Sequence, residues 1–121
     1  MARGTQGFPR HVRLTDPERY QEIFKAGTKA RHPLMAVMAL AGGLDHPRLG
    51  LAVSRKVSRK AVVRNRIKRR IREHFRRAQA GLRPLDFVVV AYPDAARADP
   101  VAFTEALESL SHKISRLCAK P

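Results

Sequence analysis

A two-layer α+β domain, helices laid on a sheet, is the fold class this sequence predicts. Three observations point there. Two Asp-Pro pairs, at 16–17 and 99–100, each open a stretch with helical apolar spacing. Three apolar runs of strand length, 34–41, 48–54 and 86–92, are separated by turn chemistry. A long amphipathic basic segment lies between the second and third of those runs, which makes a strand–helix–strand crossover. At 121 residues and 44% hydrophobic composition, the chain suits one compact domain with a modest core.

Residues 1–12, MARGTQGFPRHV, mix Gly, Pro and Arg without periodicity and read as a mobile basic arm, leaving 13–119 as the single domain. Asp16 is placed to cap a helix, Pro17 fits its first position, and Glu18 suits the positive end of the helix dipole. That helix runs to about Ala26, with Gly27 to end it and Tyr20, Ile23 and Phe24 on one stripe. A short strand around Thr28–His32 pairs alongside the run LMAVMALA at 34–41. Gly42-Gly43-Leu44-Asp45-His46-Pro47 then supplies a turn.

In RLGLAVS, residues 48–54, Leu49, Leu51 and Val53 share one face while Gly50, Ala52 and Ser54 share the other. The second face is small and suits either an overlying helix or a close ligand. Ser58 is a candidate cap for the next helix, which extends to about Ala80 before Gly81 and Pro84. The continuous apolar run DFVVVAY reads as a central strand. In the last helix Phe103, Leu107, Leu110, Ile114 and Leu117 form a core-facing arc. The lone cysteine, Cys118, extends that helix as a buried residue and excludes both an internal disulfide and a cysteine-based zinc site.

Charge is the dominant compositional signal. The formal net charge is +15, and residues 48–83 alone carry fourteen Lys/Arg against one acid. Self-repulsion on that scale opposes compactness, so a polyanionic partner is its natural counterweight. The stretch VVRNRIKRRIREHFRR, residues 62–77, concentrates it. On a helical wheel Val63, Ile67, Ile71, Phe75 and Ala78 fall on one arc, with Arg66, Arg69, Arg70, Arg72, Arg76 and Arg77 opposite and Lys68 on the border. Arg64 projects within the apolar arc, where an unpaired guanidinium is costly. It therefore has to escape around the helix end or meet an anion. Asn65 beside it can hydrogen-bond a phosphate, a sugar or a backbone group.

These residues carry a resemblance. Gly50-Leu51-Ala52-Val53-Ser54-Arg55-Lys56, then Ala61-Val62-Val63-Arg64-Asn65-Arg66-Ile67-Lys68-Arg69, then Arg72-Glu73-His74-Phe75-Arg76, closely resemble the signature of the bacterial ribonuclease P protein component. The resemblance spans about residues 12–118. It implies a ribosomal-protein-S5-domain-2-like fold, order α-β-β-β-α-β-α, with a four-stranded sheet and a left-handed βαβ crossover. General rules favour the opposite hand.

The resemblance also implies a function: the protein subunit of a ribonucleoprotein endoribonuclease that removes the 5′ leader from precursor tRNA. In that family the RNA subunit performs the Mg²⁺-dependent hydrolysis, and the protein binds no catalytic cofactor or metal of its own. The implied partners are ribonuclease P RNA and the precursor-tRNA leader, with no membrane and no obligate protein partner. Carried over by position, Arg64, Asn65, Arg66, Lys68, Arg69 and Arg72 contact the RNA subunit. Leader contacts are Arg13, Tyr20, Phe24, Ala36 and Met38, with Ser54, Arg55 and Lys56 on the cleft edge. The chain departs from the family where Tyr20 stands for the commoner Phe, Met38 for a frequent aromatic, and Arg70 for a frequent Leu.

Other classes fit less well. A protein nuclease needs carboxylates converging on a metal. The ten acids here are scattered, Glu18/Glu22 and Glu105/Glu108 read as solvated faces, and the five histidines show no metal-ligand spacing. No residue is therefore assigned to catalysis, and His74 reads as a residue bordering the apolar arc rather than a base. A ribosomal protein or RNA chaperone shares the basic α+β character but has no reason for the contiguous R-N-R-x-K-R run. RRM and KH modules lack their glycine–aromatic and G-x-x-G signatures in a folded context. No membrane-length apolar run and no signal-peptide pattern appear, which points to the cytoplasm.

Overall fold

The computed structural model describes residues 12–78 and 81–117. Helix α1 spans Pro17–Ala26, strands β1, β2 and β3 span Thr28–His32, Met35–Ala41 and Arg48–Ala52, helix α2 spans Ala61–Ala78, β4 spans Leu85–Ala91, and α3 spans Pro100–Leu117. The order α-β-β-β-α-β-α is the expected one. A short 3₁₀ helix at Pro93–Arg97, absent from the sequence reading, joins β4 to α3.

The four strands form one mixed sheet in the order β1-β2-β4-β3. Antiparallel pairing joins β1 to β2 and β2 to β4, and β3 runs parallel to β4. A parallel pair needs a crossover connection, and α2 is that connection. Its Ile67, Ile71 and Phe75 are buried, together with Phe103, Leu107, Leu110 and Ile114 of α3, against Val37, Leu49, Phe87 and Val89 of the sheet. Phe75 and Phe87 meet edge to face with centroids 6.0 Å apart, a geometry aromatic pairs favour. Full burial of an aliphatic side chain is worth about 1.5–3 kcal/mol, so Ile67 and Ile71 suffice to fasten a helix whose other side is nearly all cations. Leu117, the last residue of the α3 stripe, is instead exposed, and Cys118 lies outside the described residues.

Helix α1 crosses part of the opposite sheet face. Its start is built as the sequence indicates: Asp16 accepts a hydrogen bond from the Glu18 N–H at 3.1 Å, and Pro17 occupies the first turn. Its Ile23 is buried with Leu14, Met38 and Val88, and Tyr20, Leu40 and Val90 border the cluster. Val12, read as the end of the arm, is buried, and Leu14 donates its N–H to the Leu49 carbonyl at 2.9 Å. Residues 12–14 thus run along the outer edge of β3. The rest of that arm, residues 1–11, lies outside the described residues. Among the described residues no helix is long and apolar enough to cross a membrane.

Candidate nucleic-acid interface

The site has two halves, the cationic side of α2 and the sheet face that α1 leaves open. On α2, Arg66, Arg69 and Arg72 are exposed, and Lys68 and Arg70 are partly so. Among the described residues none of these five takes part in an ion pair. The cation array is narrower than the wheel suggests, because Glu73 gathers its neighbours. Arg76 Nη2 lies 2.6 Å and Arg77 Nε 3.0 Å from one Glu73 oxygen. The Arg76 hydrogen bond is the main reason the Glu73 carboxyl lies below its usual range.

Arg64 resolves its own conflict. Its Nη1 donates to the carbonyls of Ser58 at 2.9 Å and Arg59 at 3.0 Å. The guanidinium curls back over the helix start, with Nη1 bound to backbone carbonyls rather than to a carboxylate. The helix also begins three residues after Ser58. The Ser58 Oγ accepts the Lys60 N–H at 3.2 Å, and the Lys60 carbonyl accepts the first helical bonds. A local hydroxyl turn competes with helix at this position, so Ser58 builds the turn before the helix and does not cap it.

On the α1 side, strand register sorts the face into rows. One row is Leu40, Asp86 and Arg48; the next is Lys29, Met38, Val88 and Gly50; the third is Arg31, Ala36, Val90 and Ala52. Helix α1 covers the first two. Tyr20 lies directly above Gly50: a Cβ there would collide with the hydroxyl and lie 2.6 Å from Cζ. The Tyr20 hydroxyl donates to the Leu14 carbonyl at 2.9 Å and accepts the Leu51 N–H at 3.0 Å. Burial raises the phenol pKa, against a smaller lowering by the Leu51 N–H, which keeps the proton that the bond to Leu14 requires.

A buried ion cluster fixes the other side of α1. Asp86 is 1% exposed. Arg48 grips it with two bonds, Nε to Oδ1 at 2.8 Å and Nη2 to Oδ2 at 2.7 Å, and Arg19 of α1 adds Nε to Oδ2 at 2.8 Å. Arg19 also donates to the Ala41 carbonyl at 2.8 Å. Burial alone pushes the Asp86 carboxyl up, but the hydrogen bonds and charges of Arg48 and Arg19 outweigh it and the pKa lies below the usual value. Sequence reasoning passed over this triad. Its one signal was an acid inside an otherwise apolar strand.

The third row is left open. Arg19 and Phe24 project about 140° apart around α1. Since Arg19 reaches the first row, Phe24 leans over the third. Phe24 is 38% exposed and meets Tyr20 edge to face at 6.3 Å. Val90 and Ala52 are partly exposed, and Arg31 is exposed. Small floor residues beside an exposed ring make a cleft, with the exposed Ser54, Arg55 and Lys56 at one end.

Two expected leader positions fare differently in this geometry. Met38 is buried beneath α1 with Ile23 and Val88 and offers a ligand almost no surface. Ala36 is also buried, a floor under its neighbours rather than a contact. Met38 lies in the middle of the face, where the covering helix cannot be read from sequence.

At the β3 edge, Arg13, Thr15 and Tyr20 face Lys68 and Arg72 of α2 across a cavity of about 250 Å³. A larger groove of about 870 Å³ between α2 and α3 includes Glu73 and Glu108 among its cations and is electrostatically mixed. His74 borders that groove half-buried, with its Nε2 lacking a hydrogen-bond partner and its pKa lowered chiefly by burial. Among the described residues no three His, Cys, Asp or Glu side chains converge to hold a metal ion.

Fold and site define a class: a small α+β protein that carries an unneutralised cationic helix on one face of its sheet and a partly open row beside α1 on the other. The comparisons with known proteins make the class specific. The family model described as Ribonuclease P matches residues 8–115. The "Ribonuclease P protein component" of Methylococcus capsulatus is 42% identical over 113 residues, 93% of this chain and 88% of that protein. That of Escherichia coli O157:H7 is 43% identical over 110 residues, 91% and 92% of the two chains. The solved Staphylococcus aureus RNase P protein superposes with a TM-score of 0.80 at 30% identity, covering 86% of this chain and 97% of that one. The chain belongs to the bacterial ribonuclease P protein family.

Proposed function

We propose that this chain is the protein subunit of a bacterial, cytoplasmic ribonuclease P ribonucleoprotein, which cuts the 5′ leader from precursor tRNA. The exposed side of α2 binds the catalytic RNA, and the cleft beside α1 holds the single-stranded leader. The observation that carries this reading is the set Arg66, Lys68, Arg69, Arg70 and Arg72, five cations with no carboxylate partner among the described residues, on a helix face fixed by Ile67 and Ile71.

Arginine's planar fork suits phosphate oxygens and base edges, and each phosphate neutralised releases condensed counterions. Arg64, with Nη1 committed to backbone carbonyls, keeps Nε and Nη2 for RNA and presents them in a fixed direction. Asn65, exposed beside it, adds a neutral donor and acceptor. In the cleft Phe24 offers an unpaired base a stacking face, and Arg55 and Lys56 attract its phosphates. Base–aromatic stacking contributes about 1–3 kcal/mol and tolerates any sequence, as a subunit serving many leaders requires. The protein holds and orients, and Mg²⁺ bound by the RNA subunit supplies the hydrolytic chemistry.

Reconstitution tests the reading. Purified protein, ribonuclease P RNA and a precursor tRNA are combined at low Mg²⁺. Stimulated cleavage at the mature 5′ end, with no cleavage by protein alone, is the expected result. Cleavage by protein alone would move the chemistry into the chain, and absent stimulation would return it to the ribosomal-protein or chaperone class.

A further inference from the structure

The open row of the sheet ends at a residue that neither the resemblance nor the family match assigns. Strand β4 formally stops at Ala91, but Tyr92 keeps an extended backbone, φ −99° and ψ 164°, and donates its N–H to the Leu34 carbonyl at 2.9 Å. Ala91 faces the α2/α3 core and Val90 the α1 side. Alternation along an extended chain therefore turns Tyr92 onto the α1 side, about 7 Å beyond Val90. It is partly exposed, and among the described residues its ring makes no aromatic contact and its hydroxyl no hydrogen bond.

We propose that Tyr92 is the second stacking surface of the leader cleft, so that an unpaired nucleobase is held over Val90 between Phe24 and Tyr92. The inference rests on the leader-binding reading above and replaces Met38, which α1 buries, with an aromatic that the cleft exposes. The occupant is single-stranded RNA because charge at both ends of the row suits a phosphate backbone. Arg31 lies at the β1 end, without an ion-pair partner among the described residues, and Arg55 and Lys56 follow the β3 end. The four strands set those ends about 14 Å apart. The acid of these rows, Asp86, is already neutralised by Arg19 and Arg48. The small, partly exposed floor side chains Ala52 and Val90 leave depth for a base between two rings.

The test uses the full chain reconstituted with ribonuclease P RNA, and reads the ratio of affinities for precursor tRNA with and without its leader. Tyr92→Ala is expected to lower that ratio about fivefold or more, and Tyr92→Phe to keep it within about twofold. Phe24→Ala serves as the reference for the cleft itself and should also lower it. Tyr92→Leu keeps apolar bulk without a planar face. It should behave as Tyr92→Ala does, and it carries the test if the alanine variant melts early. A fluorescent purine analogue in the leader adds a direct readout, quenched more strongly with wild type than with Tyr92→Leu. If Phe24→Ala lowers the ratio while Tyr92→Ala and Tyr92→Leu leave it unchanged, the Tyr92 assignment is overturned and the cleft stands. If none of them changes it, the leader-binding reading falls and takes this inference with it.

Discussion

At Tyr20, which the resemblance assigns to the leader, the structure shows a structural role. Its hydroxyl ties the N-terminal segment to β3 through Leu14 and Leu51. Tyr20→Phe leaves a part-buried carbonyl and N–H short of a partner, a loss of about 1–3 kcal/mol. Each kcal/mol lowers Tm by roughly 3–6 °C in a domain of this size, which thermal circular dichroism would register. Gly50→Ala should cost more than the usual glycine exchange, because the new methyl meets the Tyr20 ring; a variant that melts like the wild type would show that α1 is not seated as described. Arg64 teaches a similar lesson. The wheel showed that it could not stay in the apolar arc, which was correct physics from sequence alone. Which carbonyls receive it depends on the turn at Ser58 and Arg59, and no periodicity encodes that turn. Met38 shows the limit from the other side: a motif position marks where a strand residue lies, not whether a helix covers it.

Between elements, the Arg19–Asp86–Arg48 cluster sets where α1 rests on the sheet, and so how much of the third row stays open. Removing one partner of a buried ion pair costs about 3–5 kcal/mol. Both arginine side chains keep some water contact, so Asp86→Asn should sit at or below the low end, read by chemical denaturation. The pH dependence follows from the lowered Asp86 pKa. The contribution is fully present above the usual carboxylate pKa of about 3.9 and is lost as pH falls through the lower folded value. The stability gap between wild type and Asp86→Asn should therefore be constant at neutral pH and close only below about pH 4. A gap that closes near neutrality would mean another group is responsible. The boundaries of α1, the start of α3, the α2 stripe and the alternation of β3 were legible because each follows from local period and capping chemistry. The triad was not, since Arg19, Arg48 and Asp86 are brought together only by tertiary pairing across 67 residues of chain.

For the whole molecule the governing quantity is an excess of fifteen positive charges, thirteen of them net within residues 48–83. That asymmetry was visible before any fold. What the fold adds is its distribution: Glu73 quenches only the C-terminal turn of α2 and leaves the central cations to a partner. The most direct measurement is the affinity of the protein for ribonuclease P RNA as a function of monovalent salt, for wild type and for the Arg66→Gln/Arg69→Gln/Arg72→Gln variant. Wild-type affinity should fall steeply on a log–log plot. The triple variant should bind more weakly with a slope shallower by about 2–3, since each phosphate left unneutralised takes roughly 0.7–0.9 from the slope. A wild-type affinity indifferent to salt, or a triple variant with an unchanged slope, would contradict the claim that these guanidinium groups find their counterions on the RNA.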